Sequence, residues 1–206
     1  MREISPVLGM SVEDYVATVA PKVLLPRLQA IRAEKLNRNR PVPSTHLIDH
    51  SSLLTPAIRA RLIDDVASFV DENVWGRSEM CVQFAQLLTL ALQHYGLDAK
   101  TVAGTAIYFS NSAEIYRWNH AWVRVGQELI DANTDCLSEN PALPKLPFLN
   151  PYWGSVSQIP KDRRLREDRS IKAHFDSDVE TIWWPELEAK LRLRERQVSG
   201  DDNGNS

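Results

Sequence analysis

The stretch Asn119-His120-Ala121-Trp122-Val123-Arg124-Val125-Gly126-Gln127-Glu128-Leu129-Ile130-Asp131-Ala132-Asn133 decides how this chain folds. Gly126-Gln127 separates two runs of strand-forming residues, and glycine at the first turn position is the signature of a type II′ hairpin. A two-residue turn pairs Val125 with Glu128. Counting back pairs Trp122 with Asp131 and His120 with Asn133. Side chains alternate between faces with a period of two. One face then carries Ala121, Val123, Val125, Ile130 and Ala132, an apolar surface fit for a core. The other carries His120, Trp122, Leu129, Asp131 and Asn133. His120 and Asp131 become diagonal neighbours on that face, within reach of a hydrogen bond from imidazole to carboxylate.

Before the hairpin, residues 81–95 have the period of an amphipathic helix, with Phe84, Leu87, Leu88, Ala91 and Leu92 on one side and Gly96 as its C-terminal cap. Strand patterns follow at 99–109, 118–125 and 128–132. Helices followed by an antiparallel sheet mean an α+β fold. Further upstream, Thr55-Pro56 marks a helix start, and Ile58, Leu62, Ile63, Val66, Phe69 and Val70 recur at helical spacing behind it. Residues 71–80 read as a polar loop. Ser11 and Asp14 form a capping-box pattern for a helix over 11–20, another helical pattern follows Pro26, and 37–44 reads as a linker.

Downstream of Cys136, Pro141, Pro144, Pro147, Pro151 and Pro160 keep the chain extended, with Phe148, Tyr152 and Trp153 available to pin it to the domain. The charge run 161–169 mixes both signs and reads as a solvated face or mobile loop. A last helical pattern spans 179–197 and restarts at Pro185, with Trp183-Trp184-Pro185 as a hydrophobic plug. The expectation is a single domain over 1–198 with N-terminal helical and C-terminal proline-rich and helical extensions, and a disordered tail at 199–206.

The composition narrows the function classes. The chain has 206 residues, 43% of them hydrophobic, enough for a sizeable core. With 24 basic and 27 acidic residues the net charge is -3, which points to neither nucleic acid nor a membrane surface. Two cysteines, Cys81 and Cys136, are too few for a secreted disulfide scaffold. Charges and prolines interrupt the first apolar residues, so no signal peptide is expected. A cytoplasmic protein without cofactor is the expectation, its partner a peptide, protein or small amide substrate. The oligomeric state is not readable.

Cys81 opens a helix, where free backbone N–H groups and a partial positive charge stabilise a thiolate and can hold an oxyanion. A cysteine at a helix start, a histidine on one strand and an acid on the next are the parts of a thiol acyl-transfer machine. Cys136, at the edge of the proline-rich region, reads as a bystander. A metal site from Cys81, His120, Cys136 and His174 would match no zinc signature, and the His46/His50 spacing lacks the accompanying glutamate.

Over about Trp75 to Asp135 the chain resembles the transglutaminase-like superfamily. The pieces are Gly76-Arg77-Ser78-Glu79-Met80-Cys81, the helix with Phe84-Ala85, Tyr95-Gly96 and the strand to Gly104, Asn119-His120-Ala121-Trp122-Val123, and Asp131-Ala132-Asn133-Thr134. The resemblance implies a papain-like α+β core with Cys81, His120 and Asp131 as catalytic triad, and peptidase or amidase activity ahead of amine transfer. A catalytically silent binding domain is the rival from another class. The resemblance also implies an oxyanion donor before the cysteine, for which Asn73 and Trp75 are candidates, and Trp122 is expected at the substrate site.

Overall fold

The computed structural model describes residues 42–73, 77, 80–137, 148–168 and 176–201, all within the unit Pro41–Ser206. The helices expected over 11–20 and after Pro26, most of the linker, Trp75, His174 and the last five residues lie outside the described residues.

Among the described residues six strands form one sheet: β1 (Ile48–Asp49), β2 (Ala99–Ser110), β3 (Ala113–Val125), β4 (Glu128–Asp131), β5 (Tyr152–Ser155) and β6 (Arg163–Glu167). Their order across the sheet is β1-β5-β4-β3-β2-β6. Among the described residues three α-helices accompany it: α1 (Pro56–Asn73), α2 (Cys81–His94) and α3 (Trp184–Asp201). The architecture is α+β, as expected, but the sheet is mixed. β1 runs parallel to β5, through Ile48 N–H to Pro151 and His50 N–H to Trp153. A two-residue strand has no periodicity to read, so nothing in the sequence marked it.

The central hairpin has the predicted register, with Val125 opposite Glu128 and Val123 opposite Ile130. Gly126 takes φ 56° while Gln127 keeps a negative φ, the II′ pattern. Ala121, Val123, Val125, Ile130 and Ala132 join one core with Phe84, Leu87, Leu88 and Leu92 of α2 and Leu62, Ile63, Val66 and Phe69 of α1. Thr55 caps α1 through its hydroxyl to Ile58 N–H (3.3 Å). α2 ends in a Schellman motif, with Gly96 at φ 77°, Gly96 N–H to Gln93 (2.9 Å) and Leu97 N–H to Leu92 (3.1 Å).

Several boundaries differ from the sequence reading. α1 runs into the expected loop as far as Asn73. β3 begins five residues earlier than expected, because Asn111 and Ser112 turn the chain with φ 49° and 65°. Both residues are left-handed, as a type I′ turn requires, and without a glycine the turn is hard to recognise. Of the tail expected at 199–206, residues 199–201 instead continue α3 to Asp201, with no proline to stop its backbone hydrogen bonding. Tyr152 and Trp153 do pin the proline-rich region to the sheet, whereas Phe148 is 46% exposed.

The largest correction concerns the charge run. Residues 163–167 form strand β6, hydrogen-bonded to β2 with Arg163 opposite Tyr108 and Leu165 opposite Ala106. Arg163 and Leu165 point inward by the strand's period of two, while Arg164, Arg166 and Glu167 stay exposed. The inward charge is tolerated because Arg163 is paired on every side, as described below. Among the described residues, no helix is long and apolar enough to cross a membrane.

Candidate active site

Two elements build the candidate site. The β3–β4 hairpin places His120 and Asp131 on one face, and His120 Nε2 meets Asp131 Oδ1 at 2.8 Å. Both side chains are wholly shielded from solvent. A carboxylate only accepts, so Nε2 carries the proton and Nδ1 is left to serve another group. That group is the thiol of Cys81, at the first residue of α2. Nδ1 completes no full hydrogen bond, but the thiol lies near enough to interact with the ring. The Met80 side chain makes no capping hydrogen bond to α2. The backbone N–H groups of Ala121 and Val82 approach the sulfur.

The charges of the three groups reinforce one another. Burial opposes an imidazolium at His120, but the Asp131 carboxylate and then the Cys81 sulfur outweigh it and push the ring up to about 10. Burial pushes the Cys81 thiol up, yet His120 and the two N–H groups bring it below the ordinary thiol value. Burial likewise opposes the charge on Asp131, while His120 and Arg163 hold its carboxyl below the usual carboxylate range. The geometry shifts Cys81 and His120 toward a thiolate–imidazolium pair, with a carboxylate on the far side of the ring.

Arg163 is the site residue that the sequence reading missed. Its guanidinium donates to Asp131 Oδ2 (3.0 Å), to the Asn150 carbonyl (2.6 Å) and, through Nε, to Asp162 (2.9 Å). One Asp131 oxygen therefore faces the imidazole and the other is clamped, which fixes the carboxylate's rotation. The only signal was the alternation of Arg163 with Leu165 inside a charged run. Trp118 was also missed. Its ring stacks on His120 with centroids 5.5 Å apart at 19°. Tyr108, opposite Arg163 across the β2–β6 ladder, is held protonated by burial and by Asp131, and its hydroxyl completes no hydrogen bond.

The loops on either side of the site are tied together. Arg77, just before Cys81, bonds Asp71 (2.9 Å) and Asp135 (2.8 Å), and Asn133 donates to the Arg77 carbonyl (2.8 Å). The segment after Asp131 thereby holds the segment before Cys81. Cys136 is buried with its sulfur 3.2 Å from the Asn133 carbonyl.

The structure brings Cys81, His120 and Asp131 together as expected. It does not place Trp122 in a substrate site: that ring is 2% exposed, packed with Leu129 and Tyr152 and tilted against His120 at 6.2 Å. The whole second face of the hairpin is covered, so an indole there is a packing residue. Asn73 is the last residue of α1, and Trp75 lies outside the described residues.

No family model and no curated protein matches the chain. Among solved structures, a crystal structure described only as a genomics target is similar at 16% identity and a TM-score of 0.48, over 66% of this chain and 76% of that one. A likeness of that size leaves function to be argued from the site.

Proposed function

We propose that this protein is a thiol-dependent acyl-transfer enzyme of transglutaminase-like type, acting on an amide bond as a peptidase or amidase. The observation that carries the reading is the buried 2.8 Å His120–Asp131 pair whose other ring nitrogen faces the thiol opening α2. The Cys81 thiolate attacks the amide carbonyl, forming a C–S bond and a tetrahedral oxyanion near the α2 N-terminus. The His120 imidazolium gives its Nδ1 proton to the leaving amine as the C–N bond breaks, leaving a thioester. Neutral His120 then takes a proton from water as water attacks the thioester, and the C–S bond breaks to release the acid and leave the Cys81 thiolate beside the imidazolium. Asp131 stays ionised and holds the ring's tautomer, and Arg163 holds Asp131.

The test is to incubate the protein with peptide and amide libraries, quench in acid and measure intact mass. An acyl adduct on Cys81 that turns over to free acid supports hydrolysis, and one that turns over to a new amide only when an amine is added supports amine transfer. Slow iodoacetamide labelling of Cys81 at pH 6, equal to that of a denatured thiol, sinks the enzyme reading in both forms.

A further inference from the structure

The outer edge of β3 runs into the Cys81 site. β4 accompanies β3 only over its last residues, and β4 ends at Asp131. On the other side β2 follows β3 from Ala113 to Val125. Beyond Asp131 the chain leaves the sheet, with Asn133 bonded to the Arg77 carbonyl and Thr134 to the Asn150 carbonyl (3.2 Å). Among the described residues, the part of β3 before Ala121 therefore has no strand beside it on that edge.

The hairpin register shows which main-chain groups face the gap. Val125 and Glu128 flank a two-residue turn, so they exchange both of their hydrogen bonds. Every second residue back along β3 turns its N–H and C=O the same way. Val123 meets Ile130, and Ala121, Asn119 and Arg117 come next in the row. The Ala121 N–H approaches the Cys81 sulfur instead of a strand. Asn119 and Arg117 are exposed residues, and their outward N–H and C=O groups have no partner among the described residues. They lie about 7 and 14 Å along the strand from Ala121. Between and beyond them, on the opposite face, stand the half-buried rings of Trp118 and Tyr116.

A row of unpaired strand groups is a template for another main chain, and this row leads to a nucleophile. An extended peptide answers it with its own N–H and C=O groups at the matching spacing, which a small amide cannot do. We propose that the substrate is an extended peptide that adds to this edge of β3 as an antiparallel strand, in line with β4, and so brings a main-chain carbonyl to Cys81. This deepens the amide-bond reading and rests on it. Peptide residues opposite Asn119 and Arg117 lie beside polar side chains, and the one opposite Trp118 lies beside an indole, so the fitting sequence alternates polar and apolar.

The probe is a capped hexapeptide alternating glutamate and leucine, added to the full chain carrying Cys81→Ala so that no turnover consumes it. Residue-resolved hydrogen exchange by NMR should find the Arg117 and Asn119 amides fast in the free protein and protected with peptide. The Trp118 and His120 amides face β2 and should be slow in both. N-methylation of the glutamates, whose amides pair with β3, should weaken binding at least roughly tenfold. N-methylation of the leucines, whose amides point away, should leave it nearly unchanged. On the protein side, Arg117→Pro deletes one outward N–H and no β2–β3 bond, at a position where an edge strand accepts proline. It should bind at least roughly threefold more weakly than Arg117→Ala, which keeps the N–H. The N-methylated peptides keep the proposal testable if Arg117→Pro folds poorly. No peptide-dependent protection at Arg117 and Asn119, equal binding of the two N-methylated peptides, or a folded Arg117→Pro that binds like Arg117→Ala would overturn the inference, even where the wild type labels rapidly with iodoacetamide at pH 6. Slow labelling is the separate failure of the enzyme reading, and protection at both amides would then still establish strand addition.

Discussion

Replacing Asp131 by asparagine perturbs one charge at the centre of the buried site and tests the coupling between all three groups. The His120 ring stands at about 10 against an ordinary 6.5, which corresponds to roughly 5 kcal/mol of preference for imidazolium. Asp131 supplies the largest favourable part of that preference, against burial. In Asp131→Asn burial is left nearly unopposed, and the ring should titrate at its ordinary value or below. The Cys81 thiolate then loses its cation at neutral pH. Turnover should fall roughly ten- to ten-thousand-fold, spanning loss of base strength and loss of the correct tautomer. The fold should survive, because Arg163 keeps Asp162 at 2.9 Å, although a broken buried ion pair costs up to roughly 3–5 kcal/mol. The assay is the rate of iodoacetamide labelling of Cys81 against pH for wild type, Asp131→Asn, His120→Ala and the double variant, with circular dichroism melts beside it. The labelling curves of all three variants should move to higher pH by similar amounts, since the pair acts as a unit. Four superimposable curves would refute the reasoning, and the triad would have to be abandoned.

Further outcomes follow from the same geometry. Cys81→Ala should abolish turnover and leave the melting temperature nearly unchanged, as measured by circular dichroism, whereas Cys136→Ser should keep most of the activity and the fast labelling. Arg163→Met should free one Asp131 oxygen and lower turnover roughly ten- to hundredfold. The His120 ring proton, followed by NMR, should titrate at a different pH in that variant, and an unmoved titration would leave Arg163 a purely structural role. The pH dependence of stability has two limbs. His120 is raised, so its contribution is full below 6.5 and lost as pH rises through about 10. Asp131 is lowered, so its contribution is full above 3.8 and lost as pH falls through its depressed value. Melts across pH should show both limbs in wild type and neither in the Asp131→Asn, His120→Ala double variant. Gly104→Ala should unfold the protein or cost at least roughly 3 kcal/mol in denaturant melts, because the added methyl would run into the Arg166 carbonyl across the β2–β6 ladder.

The parts of the site that were legible depend on local rules. A two-residue turn with glycine at its first position fixes register without further information, so His120 and Asp131 could be placed on one face by counting. Cys81 was legible because the helix behind it has both a clear apolar period and a glycine stop. Arg163 was not, because its partners Asp131 and Asn150 are distant in sequence and its strand carries one arginine where an apolar residue would announce the inward face. Trp122 was misplaced for a related reason. Alternation puts it on the face of His120, but only the tertiary pairing of Tyr152 and Leu129 shows that this face is covered as well. The early start of β3 was hidden by a turn built from Asn111 and Ser112, residues that also occur in ordinary loops.

The hairpin that carries His120 and Asp131 separates the two by only 11 positions, while Cys81 is 39 positions from His120. Local hairpins close in microseconds, and docking a helix across a longer loop is entropically costlier and slower. During folding, the histidine and carboxylate should therefore meet before the sulfur arrives. A chain still assembling carries an ordinary thiol, which is mostly protonated at neutral pH and a poor nucleophile. Reactivity is acquired at the last step, when α2 seats its first turn against β3. The thiol's alkylation rate during refolding would thus report final docking, and partly folded chains would be spared adventitious acylation.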